Sequence, residues 1–390
     1  MPRSLKSVCV ALFSTFQSNY GDTMRKVFPY IMALLIILLS GCDTEQNYEI
    51  TTVNPPEETY VYSSLIYLGN GLLYKPDHLT GLYYYDHETG VDIPLCSDVN
   101  CSHNYNSSKD CPGIFRTDNI FAYKNKLYYI EEDHFSNNEN MLTDFYLSSA
   151  ELDGTGRKRE IYLGQLYSIG SAYLHNDILY LCVNEGYYLE GEDTQISPEH
   201  IKGYIAEINM NTLTVENSDI LVDGESDSFF INGRLDNKLC LSYNFGKWTE
   251  IYYDLSDKLA EYSSYIPEQS SNAYCGEIFI TSEKYKPVSI EDVSGRHFEL
   301  PDDISHIINK FPDGRVFFAS LSDASKLYYF NAEEWMLYES KTLPEMSFYE
   351  IGSVADIFED HLIIQKSTNF RKSYGRISIS EMGFSEFKDS

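Results

Sequence analysis

A strand pattern that recurs seven times restricts this chain more than any other feature. In each copy a short apolar strand leads into a turn containing Asn, Asp or Gly. A tyrosine-rich strand follows, then a second alternating strand, a polar turn and a short return strand. Segment 69–74 precedes 81–86, 124–129 precedes 145–154, and 175–180 precedes 203–208. Segment 236–240 precedes 249–254, 275–279 precedes 287–292, 312–317 precedes 326–331, and 359–364 precedes 375–380. The turn positions Asn70, Asn125, Asn176, Asn237, Gly276, Asp313 and Asp360 lie 55, 51, 61, 39, 37 and 47 residues apart. Four strands repeated every ~40–50 residues are what a β-propeller blade requires, and a two-sheet sandwich has no such period. The expected fold is therefore an all-β propeller with seven blades. Six or eight are the near alternatives, because a weak copy is easily split or merged, and the weakest copy is the fifth, at 272–304.

Composition agrees. Aromatic residues make up 15% of the chain and 34 residues are Tyr. Tyrosine suits a half-buried sheet face, with its ring covered and its hydroxyl wet. No window after residue 42 carries a sustained apolar stripe at helical spacing.

The start of the chain is of another kind. Arg25 and Lys26 follow Met24, and residues 27–39 then carry no charge over 13 positions. Such a run is too short to span a bilayer, which takes ~20 apolar residues. Leu39, Ser40, Gly41 and Cys42 close it, and polar Asp43, Thr44 and Glu45 follow. Basic residues, apolar run, small residues and cysteine in this order resemble the signal peptides of bacterial lipoproteins. The resemblance covers 24–42 and implies cleavage before Cys42, which then carries the lipid. Residues 1–41 are expected to be removed, with Met24 a better start than Met1. Residues 42–58, polar and holding Pro55 and Pro56, read as a tether. The propeller is expected over 59–390. The expected location is the extracytoplasmic face of the cell membrane, held by lipid.

Charge limits the partners. Four basic residues (Arg3, Lys6, Arg25, Lys26) and one acidic residue (Asp22) precede Cys42, so cleavage takes the net charge from −30 to −33. Nucleic acid is excluded as a partner, because that affinity rests on Lys and Arg neutralising phosphate. Adhesion to anionic lipid by charge is excluded too. A protein or glycan ligand is left.

Residues 145–160, FYLSSAELDGTGRKRE, resemble the strand-turn-strand unit of TolB-like and low-density-lipoprotein-receptor-like propellers. In those families an Asp-Gly turn joins the third and fourth strands of a blade. Residues 84–91, YYDHETGV, resemble the same turn. The resemblance implies a closed ring whose channel and loops bind ligands or partners. It implies no single chemistry.

One insert, at 94–112, stands outside the repeat. Cys96, Cys101, His103 and Cys111 follow the spacing C-x4-C-x-H-x7-C within 16 residues, between the first and second copies. Three thiols and an imidazole in a compact loop match a tetrahedral Cys3His zinc site, which would be structural because it leaves no open position. The competing reading is a disulfide such as Cys101–Cys111, with Cys96 spare, since disulfides persist outside the cytoplasm. Cys182, Cys240 and Cys275 fall on strand-like apolar stretches and read as small buried hydrophobes.

No Gly-x-Ser-x-Gly elbow, His-Glu-x-x-His pair or phosphate-cradling glycine loop occurs. The expected role is a membrane-anchored, non-catalytic binding or scaffold module, with long excursions at 135–143 and 185–200. The alternative is a carbohydrate-active enzyme using a pair of acidic residues in the propeller channel.

Overall fold

The computed structural model describes residues 58–387, except 61–64, 77–80, 97–100, 102, 104–110, 118, 134–141, 188–199, 226–227, 245–247, 263–269, 276, 285, 312–313, 324–325, 342–352, 359–360 and 369–370. Cys42, the signal segment and most of the tether therefore lie outside the described residues, as do the turn positions Gly276, Asp313 and Asp360. Glu58, placed at the end of the tether by sequence, begins strand β1 (Glu58–Tyr60).

The described residues then form seven antiparallel sheets, one for each sequence copy. The first is β2 (Leu65–Tyr67), β3 (Gly71–Tyr74), β4 (Tyr83–Asp86) and β5 (Asp92–Pro94). The second is β6 (Ile120–Tyr123), β7 (Lys126–Asp133), β8 (Thr143–Glu151) and β9 (Lys158–Leu166). The third is β10 (Ser168–His175), β11 (Ile178–Tyr187) and β12 (His200–Asn209), with its fourth position shared by β13 (Thr214–Asn217) and β14 (Val222–Glu225). The fourth is β15 (Ser228–Leu235), β16 (Lys238–Asn244), β17 (Trp248–Asp254) and β18 (Ala260–Tyr262).

The fifth copy, the weakest by sequence, is a regular sheet of β19 (Ser270–Cys275), β20 (Ile278–Glu283), β21 (Lys286–Asp292) and β22 (His297–Glu299). Pro287 is accommodated there because it lies opposite Ser282 at a break in register, where a missing N–H costs little. The sixth is β23 (Ile304–Lys310), β24 (Arg315–Ser320), β25 (Leu327–Asn331) and β26 (Met336–Glu339). The seventh is β27 (Ser353–Phe358), β28 (His361–Thr368) and β29 (Arg371–Ser378).

Where a fourth strand would start, the seventh copy turns into a one-turn helix, α1 (Ile379–Met382), ended by Gly383 in the left-handed region. This departs from the all-strand expectation at Ile379 and Ser380. The turn buries Met382 with Phe317, Leu327 and Leu362 between the last two sheets. Strand β30 (Ser385–Glu386) then returns to the outer edge of β26.

The arrangement is a β-propeller. First strands approach first strands: β10 lies against β15, β15 against β19, β2 against β6, and β23 against β27. Ser171 Oγ on β10 accepts the N–H of Ile231 on β15 at 2.6 Å. First strands thus line the axis and fourth strands face out, as the fully exposed β13 illustrates. Apolar side chains fill the seams between sheets. Phe121, Phe145 and Leu147 of the second sheet meet Leu174, Leu179 and Leu181 of the third. Ile363 of the seventh sheet packs with Leu72, Tyr74 and Tyr85 of the first, which closes the ring. Tyrosines tie seams at their wet ends: Tyr123 Oη donates to Asp177 at 2.6 Å, and Tyr253 Oη to Glu207 at 2.8 Å.

The third-to-fourth strand turns share one device, an Asx side chain that accepts N–H groups two to four residues on. Asp86, Asp153, Asn209, Asp254, Asp292 and Asn331 all do this. The turns at Asp86 and Asp153 are those that carried the propeller resemblance. Asp292 is the most strongly held. Burial would raise its pKa, but the Arg296 guanidinium, the Ser294 hydroxyl and the Arg296 N–H outweigh that and hold it down at about 2. An unfolded Asp titrates near ~3.9, so this stabilisation is complete above about pH 4 and is lost as pH falls through about 2. Asp292→Asn should cost roughly 1–2 kcal/mol at neutral pH, the lower end reflecting the solvent around Arg296. Urea unfolding at pH 7 and pH 2.5 checks it: the difference between variant and parent should shrink at the lower pH.

Candidate metal centre

The insert leaves the first sheet directly. Leu95 N–H donates to Leu82 O, which extends the pairing of β5 with β4 by one residue and brings Cys96 to the sheet edge. Gly81 N–H donates to His103 O and Leu82 N–H to Gly113 O, each at 2.8 Å. Two distant parts of the insert are thereby hung on the same two residues before β4. That folds the loop back on itself and brings its four candidate ligands together.

Cys96, Cys101, His103 and Cys111 each present a ligand atom, and all four atoms lie within 4.8 Å of one another. Ligand edges in a tetrahedral site of this composition are about 3.5–3.8 Å, so the widest gap would close by about 1 Å on binding. Cys96 and Cys111 are buried, packed with Ile114, and Cys101 and His103 are half-buried. Cys111 Sγ lies 3.9 Å from His103 Nδ1. His103 adopts φ 51° and donates its N–H to Cys101 Sγ at 3.4 Å, an arrangement that favours charge on that sulfur. All three cysteines are free in this structure.

Without a cation Cys111 resists ionisation. Burial, joined by the neighbouring Cys101 and Cys96 against the opposing Gly113 N–H, pushes the Cys111 thiol up to about 12. A divalent cation inverts this balance, because thiolates then become ligands in place of crowded like charges. The group could hold a metal ion, and the sequence-derived ligand set is the one the fold assembles.

The centre also sits on a seam. Arg157 of the second sheet donates from Nη2 to Pro112 O at 2.6 Å and to Ile114 O at 2.8 Å, and its guanidinium lies 4.3 Å from the Phe115 ring centroid. Phe115 meets Tyr129 edge-on at 5.0 Å. The turn at Gly154, φ 78°, lies against Pro112 so closely that an added Cβ would come 2.1 Å from its carbonyl oxygen. Sequence spacing showed the four ligands but not this clamp. Arg157 was legible only as part of the Asp-Gly turn.

Elsewhere, Cys182 and Cys240 are buried as expected, and burial raises both thiols well above their usual range. The Cys275 side chain lies outside the described residues. Six described carboxylates are held below their usual range: Glu160, Asp177, Glu216, Asp254, Asp292 and Asp303. Asp303 is typical. Its burial is outweighed by Ser322, Ser320 and Tyr328, and it titrates at about 2.

Fold and centre together define a β-propeller with a Cys3His group on the seam between its first two sheets. No protein-family model matches the sequence, and no curated relative does. Among solved structures, an oligogalacturonate lyase in complex with manganese is similar at 11% identity over 83% of this chain and 91% of that one, with a TM-score of 0.44. An oligogalacturonate lyase from Vibrio parahaemolyticus is similar at 9% identity over 82% and 90%, with a TM-score of 0.46. Dipeptidyl peptidase 4 from Porphyromonas gingivalis is similar at 11% identity over 85% of this chain and 60% of that one, with a TM-score of 0.42. A likeness this distant carries neither chemistry nor ligand across.

Proposed function

We propose that this chain is a lipid-anchored, extracytoplasmic β-propeller that serves as a non-catalytic binding or scaffold module, with one structural zinc ion fastening its first inter-sheet connection. The observation that carries the zinc is the convergence of Cys96, Cys101, His103 and Cys111 within 4.8 Å. Three sulfurs and one imidazole fill a tetrahedral shell, so the ion has no position left for substrate water. The non-catalytic reading is supported by how the acids are used. A glycosidase acid needs a raised pKa. Asp292 and Asp303 are instead lowered by the donors around them. The anchor rests on the sequence around Cys42 alone.

Two measurements test this reading. Cells fed a fatty-acid analogue should label the wild-type chain and not Cys42→Ala, and equal label in both overturns the anchor. Capture from intact cell surfaces should recover a protein or glycan bound to the wild type. Release of new reducing ends or unsaturated sugar ends from a captured glycan would replace the binding reading with the carbohydrate-active one.

A further inference from the structure

Strand β1 leaves its place in the chain order. It pairs with β10 of the third sheet, with Glu58 opposite His175, Thr59 opposite Leu174 and Tyr60 opposite Tyr173. The other edge of β10 is taken by β11, so β1 occupies the edge that faces the propeller axis.

The direction of β1 is informative. Glu58, where the chain enters, lies beside His175 at the end of β10, next to the turn at Asn176 and Asp177 that leads into β11. Turns between first and second strands share one mouth of the ring, and Lys124 and Asn125 between β6 and β7 are another. Glu58, the first described residue, therefore lies at that mouth. Second-to-third strand connections leave from the other mouth. Asp133 and Asp144 mark it in the second sheet, and Tyr187 and His200 in the third. First strands begin at that same far mouth, as β23 does just after Asp302.

We propose that β1 seats the tether in the axis of the propeller, so that the mouth bearing the first-to-second strand turns faces the membrane and the opposite mouth faces outward. This rests on the anchor at Cys42. Cys42 and Glu58 are sixteen residue steps apart, a reach of at most ~55 Å when fully extended. A tether attached at the rim would let the ring tumble through any orientation. One attached at the axis, by backbone pairing inside one mouth, biases that mouth toward the bilayer. The two longest second-to-third strand connections, after Asp133 and after Tyr187, then leave from the side turned away from the lipid.

The test uses the full chain purified from membranes and reconstituted into phosphatidylcholine vesicles carrying a headgroup acceptor dye. A fluorescent amino acid is placed at exposed Asn125, in the near mouth, or at exposed Asp302, in the far one. Strands of eight residues set the two mouths ~25 Å apart. Energy transfer to the lipid acceptor should be at least about twofold greater from position 125 than from position 302. Thr59→Pro removes the central backbone donor of β1 and should abolish the difference. Equal transfer in the parent, greater transfer from 302, or a difference that survives Thr59→Pro overturns the orientation and leaves the anchor standing. Failure of the chain to float with the vesicles overturns the anchor, and the orientation with it.

Discussion

Replacing Cys111 with alanine should empty the metal centre and lower the melting temperature of the purified chain by about 10 °C. Cys111 is buried beside Cys96 and Ile114, and its sulfur is one of the four converging ligand atoms. Taking it away leaves an open, wet three-ligand group. A site filled at a thousandfold above its dissociation constant adds about 4 kcal/mol to stability, and one kcal/mol corresponds to ~2–4 °C in a domain of this size. The entropy of ordering the polar insert opposes folding, and a bound ion would offset it. Chelation of the wild type should reproduce the variant. His103→Ala should act in the same direction, and a Cys101–Cys111 disulfide would have no use for that histidine. The measurements are calorimetry, zinc per chain, and thiol counts before and after denaturation. About one zinc and three masked thiols are expected for this segment. A metal-free chain that yields a Cys101–Cys111 linked peptide overturns the site.

A matched pair of glycines should show how firmly the insert is seated on the second sheet. Gly154 and Gly295 both lie in third-to-fourth strand turns, with φ of 78° and 84°. A side chain in this left-handed region costs about 1 kcal/mol on its own. Around Gly295 nothing lies within 4 Å of an added Cβ, so Gly295→Ala should show only that cost. At Gly154 the added Cβ would come 2.1 Å from Pro112 O, far inside contact distance. The insert must lift, and Arg157 must release Pro112 O and Ile114 O. Hydrogen bonds from a charged donor are worth roughly 1.5–3 kcal/mol each. Gly154→Ala should therefore cost at least about 3 kcal/mol more than Gly295→Ala, and it should loosen the metal. Urea denaturation of the two variants decides the point. Equal costs would mean that the contact between insert and turn contributes nothing.

Much of this arrangement is local, and what is local was legible. Each blade repeats one short grammar, and its Asx turns need only residues two to four apart. Asp86 and Asp153 could therefore be read as turn residues, and the resemblance to propeller turns rested on them. The cysteine insert was legible for the same reason, since its ligands lie within 16 residues.

The chain by itself determined that it would be almost all strand and ring-shaped, and where its candidate metal ligands would lie. Hydrophobic period and turn chemistry are properties of short windows. Only the tertiary structure decided that Arg157 and Gly154 of the second sheet would clamp an insert leaving the first. It alone decided that Ile363 would close the ring against Leu72 and Tyr85. It also decided that the last copy would trade a fourth strand for one helical turn, because Met382 finds its burial between two sheets. The placement of β1 on the axis is of the same kind. Three residues carry no signal for which of seven inner edges they will pair with. That choice follows from backbone groups more than a hundred residues away, which only the closed ring brings within reach.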